Sequence, residues 1–527
     1  MIKSIFSKIY TRNFSAKKKA YLSLYHSNDF SKIRAIMTAM GKVRFPQIKE
    51  TDKFDLELAS RQYYLNLFGG LRLEAQILIA LGKNRPIRFF PLHRQFIPIL
   101  RAQGIKVSFF WTQISFFIIM LGLWVRGFYR FLNFSFRPHG VSLEDTQGEP
   151  YIYFDKLSVN NLPDFYPDGS SYDIITWYIN KMQPAEKKVC HNVKNITAID
   201  YKGHNISAIN SPLPIPKNTF RFLVTSLGMQ ISALLDLFSG KWWNAMLMNE
   251  MIEANRFDYI DNQLIAKQYL FYNSITFYRP LWTYKAEEKG ASIISYFYST
   301  SETIMPPEGE EENSQYVELM NWPEVWVWDD FQKKLFENIF IYPSNTKIVG
   351  PIHFGGRAIE IKKSTRLKVA IFDSPPFNIG AYFGFSTSNG LGLNEGQVHK
   401  DFLNDIVEVF EKFNVEFYFK PKRQRNKNLE VESYLATLKK HQCKNNFHIL
   451  NGDIAASYVI ENSDIVISFP FTSTGVIGNV LDKFSLYYDP TGKVSKEDKA
   501  RHDLPLLSKK SELNNWVTQN IIEVGNK

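Results

Sequence analysis

Thr472, Ser473 and Thr474 stand in a row between Phe469-Pro470-Phe471 and Gly475. An apolar, strand-like run, Ile465–Phe469, leads into them, and Val476-Ile477-Gly478-Asn479-Val480-Leu481 reads as the opening of a helix. The first N–H groups of a helix have no partner inside it, and the dipole there favours negative charge. With hydroxyl donors alongside, such a place suits a phosphate, and in a long α/β chain that points to a nucleotide-activated substrate. Simple helix capping is the alternative reading of any one of these hydroxyls. Three together at the carboxyl end of an expected parallel strand, the edge where open α/β sheets bind ligands, favour the phosphate. Pro470 and Gly475 shape the turn around them.

A second cluster belongs to the same unit. Lys420-Pro421-Lys422-Arg423 follows the apolar run Val415–Phe419. Three cations at a strand end can clamp a phosphate and neutralise a leaving group, while an exposed basic loop is the alternative. Asp373 ends the strong run Leu367–Asp373, where a carboxylate can take a ligand hydroxyl or base or else cap the loop.

The segment Ser468–Gly475 resembles the signature of bacterial surface-polysaccharide biosynthesis proteins named for a Pro-Phe-Thr-Ser motif, carried here by Pro470–Ser473 and supported by Leu367–Asp373 and Val415–Lys420. The resemblance implies a glycosyltransferase with two Rossmann-like domains facing a cleft (GT-B type). It also implies kinship with transferases that move nonulosonic acids (sialic- or pseudaminic-type) or Kdo from CMP donors in capsule or O-antigen assembly. In those relatives a late Ser/Thr motif holds the CMP phosphate, and Thr472, Ser473 and Thr474 match it. The relatives carry His-Pro on the preceding strand and loop. Lys420-Pro421 stands there instead, which replaces a histidine acid with a cationic clamp. A UDP- or GDP-sugar donor is the alternative within this class. A non-catalytic glycan-binding component of a polysaccharide assembly or export complex is the alternative outside it.

Such a transferase needs a base for the acceptor hydroxyl or a carboxylate nucleophile, supplied by a strand end of the N-terminal domain. Asp155 after Tyr151–Phe154 fits that placement, Glu302 beyond Ile293–Tyr298 is second, and His353 at the crossover between domains is a third candidate. Asp329 is expected to cap a helix. Arg279 and Trp282 form a candidate carboxylate-and-sugar pair for the acceptor. No metal cluster is visible among the ten histidines, so no metal cofactor is expected.

The elements that must hold these residues follow from pattern. At 527 residues the chain exceeds the size of one hydrophobic core. Residues 1–355 are expected as an acceptor-side domain, 365–510 as a nucleotide-sugar-binding Rossmann-like domain, and 511–527 as a tail or helix returning to the first. From Leu367 onward strands and helices alternate, the mark of a doubly wound parallel sheet. Phe220–Lys289 reads as helical. Two cysteines far apart argue for a reducing compartment and against a disulfide framework.

A net charge of +11 implies an anionic partner. No nucleic-acid motif is present, so an anionic membrane surface is expected, with the chain peripheral to the cytoplasmic face of the inner membrane. Residues 1–20 carry six cations, no acid and an apolar face of Ile2, Ile5, Phe6 and Ile9, as a surface-lying helix would. Residues 107–125 hold no charge over nineteen positions. Their semi-polar first half and basic flanks favour a buried or interfacial helix over a span, able to dock on lipid and collect a lipid-linked acceptor.

Overall fold

The computed structural model describes residues 29–45, 48, 55–136, 151–155, 173–177, 196–199, 213, 216–272, 277–300, 316–351, 365–374, 376, 393, 395–422, 431–452 and 454–525. Two parallel sheets carry the chain. The first holds β1 (Tyr151–Asp155), β2 (Asp173–Trp177), β3 (Ile196–Ile199), β4 (Gln268–Tyr272), β5 (Ser292–Tyr296), β6 (Glu324–Val327) and β7 (Asn345–Ile348), in the order 3-2-1-4-5-6-7. The second holds β8 (Leu367–Phe372), β9 (Val415–Lys420), β10 (Phe447–Ile449), β11 (Ile465–Ser468), β12 (Phe484–Asp489) and β13 (Leu506–Ser508), in the order 10-9-8-11-12-13. Renumbered from its own first strand, the second order is again 3-2-1-4-5-6. Both sheets are therefore doubly wound in the Rossmann sense, each with a switch point where the strand order reverses.

Helices α1 (Asp29–Gly41), α2 (Leu56–Phe68), α3 (Gly70–Lys83), α4 (Ile97–Ala102) and α5 (Phe109–Phe136) precede the first sheet, and α6 (Thr219–Phe238), α7 (Trp242–Phe257), α8 (Leu281–Glu288) and α9 (Asp330–Ile339) are inserted among its strands. The second sheet is covered by α10 (Gly396–Phe410), α11 (Glu432–Gln442), α12 (Ala456–Glu461), α13 (Ser473–Val480) and α14 (Lys509–Gly525). Strands buried on both faces read as continuous apolar runs, which is why Val369–Phe372, Phe417–Phe419 and Ile465–Ile467 are almost wholly enclosed.

Alternation along the strands of the first sheet sends side chains to two different cores. Tyr153, Tyr269, Phe271, Ile293, Val325 and Val327 join the helical layer. Leu270, Ile294, Tyr296, Trp326 and Trp328 join the apolar cluster of the second sheet, so one core runs through both domains.

Two expectations are corrected here. The stretch Phe220–Lys289 is not all helix: Gln268–Tyr272 is β4, at the centre of the first sheet between β1 and β5. The C-terminal helix does not return to the first domain, because α14 packs on α10, β12 and β13 of the second. Leu513 and Val517 are buried there, Lys412 Nζ donates to Asn514 Oδ1 at 2.8 Å, and Lys510 Nζ lies 3.7 Å from Asp405.

His93 is buried between α3 and α4 against Phe45, Phe116 and Trp242. Burial, helped by the Arg94 charge, pushes its imidazole down to about 4. The fold thus holds it neutral while the unfolded chain takes up a proton below about 6.5. Stability should be intact above about pH 6.5 and fall as the pH drops toward about 4, by up to ~1.4 kcal/mol per pH unit from this group. Unfolding midpoints measured across that window should fall more steeply for the native chain than for His93→Gln.

Candidate functional site

Strand β11 ends at Ser468, in register with Phe372 of β8 on one side and Tyr487 of β12 on the other. Phe372 in turn stands opposite Lys420, the last residue of β9. The carboxyl ends of β9, β8 and β11 therefore share one edge, and the switch point between β8 and β11 lies in the middle of it.

The turn after β11 is built residue by residue. Phe469 is held by the ring of His399 from α10, stacked at 4.3 Å and 16°, and by the edge of Phe402 at 5.3 Å. Pro470 is buried and Phe471 takes a left-handed backbone, φ 63°, which reverses the chain. Thr472 N–H donates to Phe469 O at 3.1 Å, and the Thr472 hydroxyl donates to the same carbonyl at 2.7 Å. Tyr487 OH donates to Thr472 O at 2.8 Å. Gly475 is what lets that tyrosine in: a Cβ there would stand 2.8 Å from the Tyr487 ring and 3.2 Å from Leu504.

Helix α13 starts at Ser473 with Thr472 as its cap residue; the Thr472 side chain makes no capping hydrogen bond, and Gly475 N–H donates back to Thr472 O at 3.2 Å. Thr472, whose hydroxyl is turned back into the turn, is buried, whereas Ser473 and Thr474 are half-buried at the helix start. Thr474 Oγ1 lies 2.9 Å from Ser468 Oγ, which orients it from the strand below. What remains at the mouth are the N–H groups of Ser473 and Thr474 and their two hydroxyls, a seat for an anion.

Lys420 is 6% exposed, with Nζ 3.4 Å from Pro421 O, and so sets a positive charge at the same edge. Lys422 is exposed on the loop beyond, and Arg423 lies outside the described residues. Asp373 follows β8 directly, is 2% exposed and accepts a hydrogen bond from Tyr434 OH, so its carboxylate is anchored to α11.

The first domain reaches this turn. Thr300, beyond β5, donates through Oγ1 to Phe471 O at 3.0 Å. His502, between β12 and β13, pairs through Nδ1 with Asp329 and through Nε2 with Thr300 O at 2.8 Å. Asp329 is also the cap of α9, accepting from Gln332 N at 2.9 Å. Burial by itself would raise this carboxyl, but the hydrogen bond and charge of His502 and the backbone N–H groups of Gln332 and Phe331 hold it below its ordinary value. The carboxyl ends of β5 and β6 thus meet the carboxyl end of β11. Asp155 ends β1, on that same edge of the first sheet, two strands from β5. Glu302 and His353 lie outside the described residues.

Arg279 and Trp282 are not at the site, which corrects the expected acceptor pair. Arg279 is 4% exposed and each of its guanidinium nitrogens is engaged inside the helical layer: Nε on Thr283 Oγ1 at 3.1 Å, Nη1 on Asn321 O at 3.2 Å and Nη2 on Glu287, with the guanidinium 3.9 Å over the Tyr284 ring. Trp282 stacks on Phe257 at 5.3 Å and meets Tyr269 edge-on. Their chemistry serves the core. Conversely His399, Thr300, Tyr487 and His502 position the turn, and nothing local in the sequence marks them, since each acts across a long chain separation.

The family model described as polysaccharide biosynthesis PFTS motif protein matches residues 226–517. No curated protein matches. Among solved structures the chain is similar to a sucrose-phosphate synthase from Thermosynechococcus elongatus, at 6% identity over 71% of this chain and 90% of that one, TM-score 0.38. It is similar also to a UDP-GlcNAc 2-epimerase from Neisseria meningitidis bound to UDP-GlcNAc, at 12% identity over 71% and 92%, TM-score 0.36. A third, Anabaena HepE in complex with UDP-glucose, aligns at 10% identity over 71% and 90%, TM-score 0.34.

The two neighbouring hydroxyls should separate on mutation. Thr472→Val removes a buried donor from the turn and should cost about 1–2 kcal/mol of stability. Ser473→Ala removes a half-buried hydroxyl at the helix start and should leave the denaturant midpoint within about 0.5 kcal/mol of native. Chemical unfolding of the two variants side by side checks this.

Proposed function

The chain belongs to the polysaccharide biosynthesis PFTS motif family, and on that premise we propose that it is a glycosyltransferase using a nucleotide-sugar donor whose phosphate sits on the start of α13. The observation that carries this reading is the uncapped helix N-terminus, with Ser473 and Thr474, at the switch point of a Rossmann-ordered sheet. Glycan binding alone has no use for such a seat.

The donor in this reading is CMP linked to an acidic sugar, a nonulosonic acid or Kdo. A single helix start matches a single phosphate, and Lys420 at the neighbouring strand end meets the charge that grows on it. The positive edge suits the sugar carboxylate as well. In the transfer, an acceptor hydroxyl attacks the anomeric carbon and its proton passes to a base on the first sheet. The bond from that carbon to the phosphate oxygen breaks, and CMP leaves with the electron pair. Asp155 is the proposed base, from its position on the facing edge. Charge on the leaving phosphate is met by the helix start and Lys420, without a metal. The acceptor is a glycan, taken in lipid-linked form, and the protein works at an anionic membrane surface, peripheral to the cytoplasmic face of the inner membrane.

Thermal stabilisation by CMP, UDP, GDP and ATP tests the reading. Ligand at about 100 times its Kd adds ~2.7 kcal/mol. CMP should stabilise the native chain, with or without chelator, and stabilise Ser473→Ala and Lys420→Met by less at the same concentration. A shift with UDP or GDP in place of CMP replaces the donor, and no shift with any nucleotide removes the transferase reading.

A further inference from the structure

Helix α6 turns polar residues inward and an apolar stripe outward, and α5 beside it is apolar on both sides. Along α6 the residues facing the protein are Phe222, Ser226, Gln230, Ala233 and Leu237, a stripe at spacings of three and four. Two of the five are polar: Asn255 Nδ2 donates to Ser226 Oγ at 2.9 Å, and Gln230 is buried with its backbone carbonyl accepting from Trp124 Nε1 at 2.9 Å. The opposite stripe, Phe220, Val224, Leu227, Ile231, Leu235 and Phe238, repeats the same spacing, is wholly apolar and is 43–76% exposed. A helix of a protein that faces water alone carries the reverse arrangement.

Helix α5 runs antiparallel beside it. Phe134 meets Phe222 at one end, at 5.0 Å, and Phe117 meets Phe238 toward the other, at 5.7 Å. Both helices rest on α7, so each has one side on protein and one side bare. Both are long and apolar enough to cross a membrane, with only 22% and 28% of their apolar windows buried. The rim of the bare face is aromatic and basic. Phe89, in a left-handed backbone, meets the Trp111 ring at 4.8 Å and a tilt of 46°, and Trp111 meets Phe110. Arg88, Arg101, Lys106, Arg126 and Arg221, which lie on these two helices or in the chain leading into α5, are exposed. The acidic side chain on these two helices, Asp236, is turned to Lys241 at 3.2 Å and Asn244 at 2.7 Å.

We infer that α5 and α6 lie side by side in one leaflet of an anionic bilayer, with the stripe from Phe220 to Phe238 among the acyl chains and the basic rim at the phosphates. The pair does not span, because its other side is committed to α7 and through it to the first sheet. Amphipathic aromatics at the edge and cations beyond them match the layering of headgroup and hydrocarbon. A second copy of this chain fits less well: a two-fold contact would bring Arg88, Arg101, Arg126 and Arg221 against a like-charged set. This deepens the membrane element of the proposed function and says how the first domain is held there. It adds α6, where the sequence pointed only to residues 1–20 and 107–125.

The test is flotation of the full-length protein with vesicles of phosphatidylcholine alone and of phosphatidylcholine with phosphatidylglycerol, without nucleotide. The native chain should float with the mixed vesicles, less with the neutral ones, and stay bound at high salt. Ile231→Glu/Leu235→Glu should remain unbound while keeping its thermal midpoint and its response to nucleotide. Val224→Ser/Leu227→Ser, a milder change on the same stripe, should bind less than the native chain. Flotation of Ile231→Glu/Leu235→Glu at the native level, or failure of the native chain to float, overturns the proposal. So does a lipid-free dimer that this variant converts to monomer without altering flotation. A chain that floats but ignores every nucleotide leaves this inference standing and removes the donor reading instead.

Discussion

Everything near the proposed donor site depends on how the chain leaves β11. A strand must hand over to a helix within four residues, and the left-handed backbone of Phe471 makes that reversal. The conformation is unfavourable for a bulky side chain and persists because its surroundings fix it. Phe469 is pinned by His399 and Phe402, the Thr472 hydroxyl closes on Phe469 O, and Tyr487 OH holds Thr472 O through the gap that Gly475 leaves open. Because Thr472 is committed to the turn, it does not cap its own helix. The N–H groups of Ser473 and Thr474 at the start of α13 are left to something else.

The same turn is where the two domains touch. Thr300 holds Phe471 O, and His502 bridges Thr300 to Asp329 at the end of β6. A ligand seated on α13 therefore lies next to the contact between the sheets. Any rotation of one sheet against the other has to act on those few polar contacts or on the shared apolar cluster around Tyr296, Trp326 and Trp328. The first domain adds the pair α5 and α6, so the apolar outer face belongs to the first domain.

Much of the second domain is legible in the sequence because a doubly wound sheet buries its strands on both faces. Val369–Phe372, Val415–Phe419 and Ile465–Ile467 are short apolar runs set between helical periods, and each is a strand. The turn at Pro470–Gly475 is legible for the same reason: hydroxyls and glycine interrupt the apolar text at a strand end. β4 was not legible, since Gln268–Tyr272 follows two long helices and carries no alternation to distinguish it. Arg279 and Trp282 show a different limit. Their types suit a ligand, but residue type does not reveal burial, and the partners that consume them, Asn321 and Tyr269 among them, come from elsewhere in the chain. His502 and Thr300 escape notice likewise, because their role exists only once the two sheets meet. On α6 the apolar period is plain, yet the side that faces the protein is the one where Ser226 accepts from Asn255 of α7, a contact made across a long chain separation.

The central claim is that the start of α13 holds a phosphate. Isothermal titration of a nucleoside monophosphate and of its parent nucleoside, each against the native chain and Ser473→Ala, isolates that one group. The account predicts that Ser473→Ala weakens the monophosphate by ~1 kcal/mol or more, a factor of about five, and leaves the nucleoside unchanged. An equal loss for both ligands, or no loss for either, would contradict it.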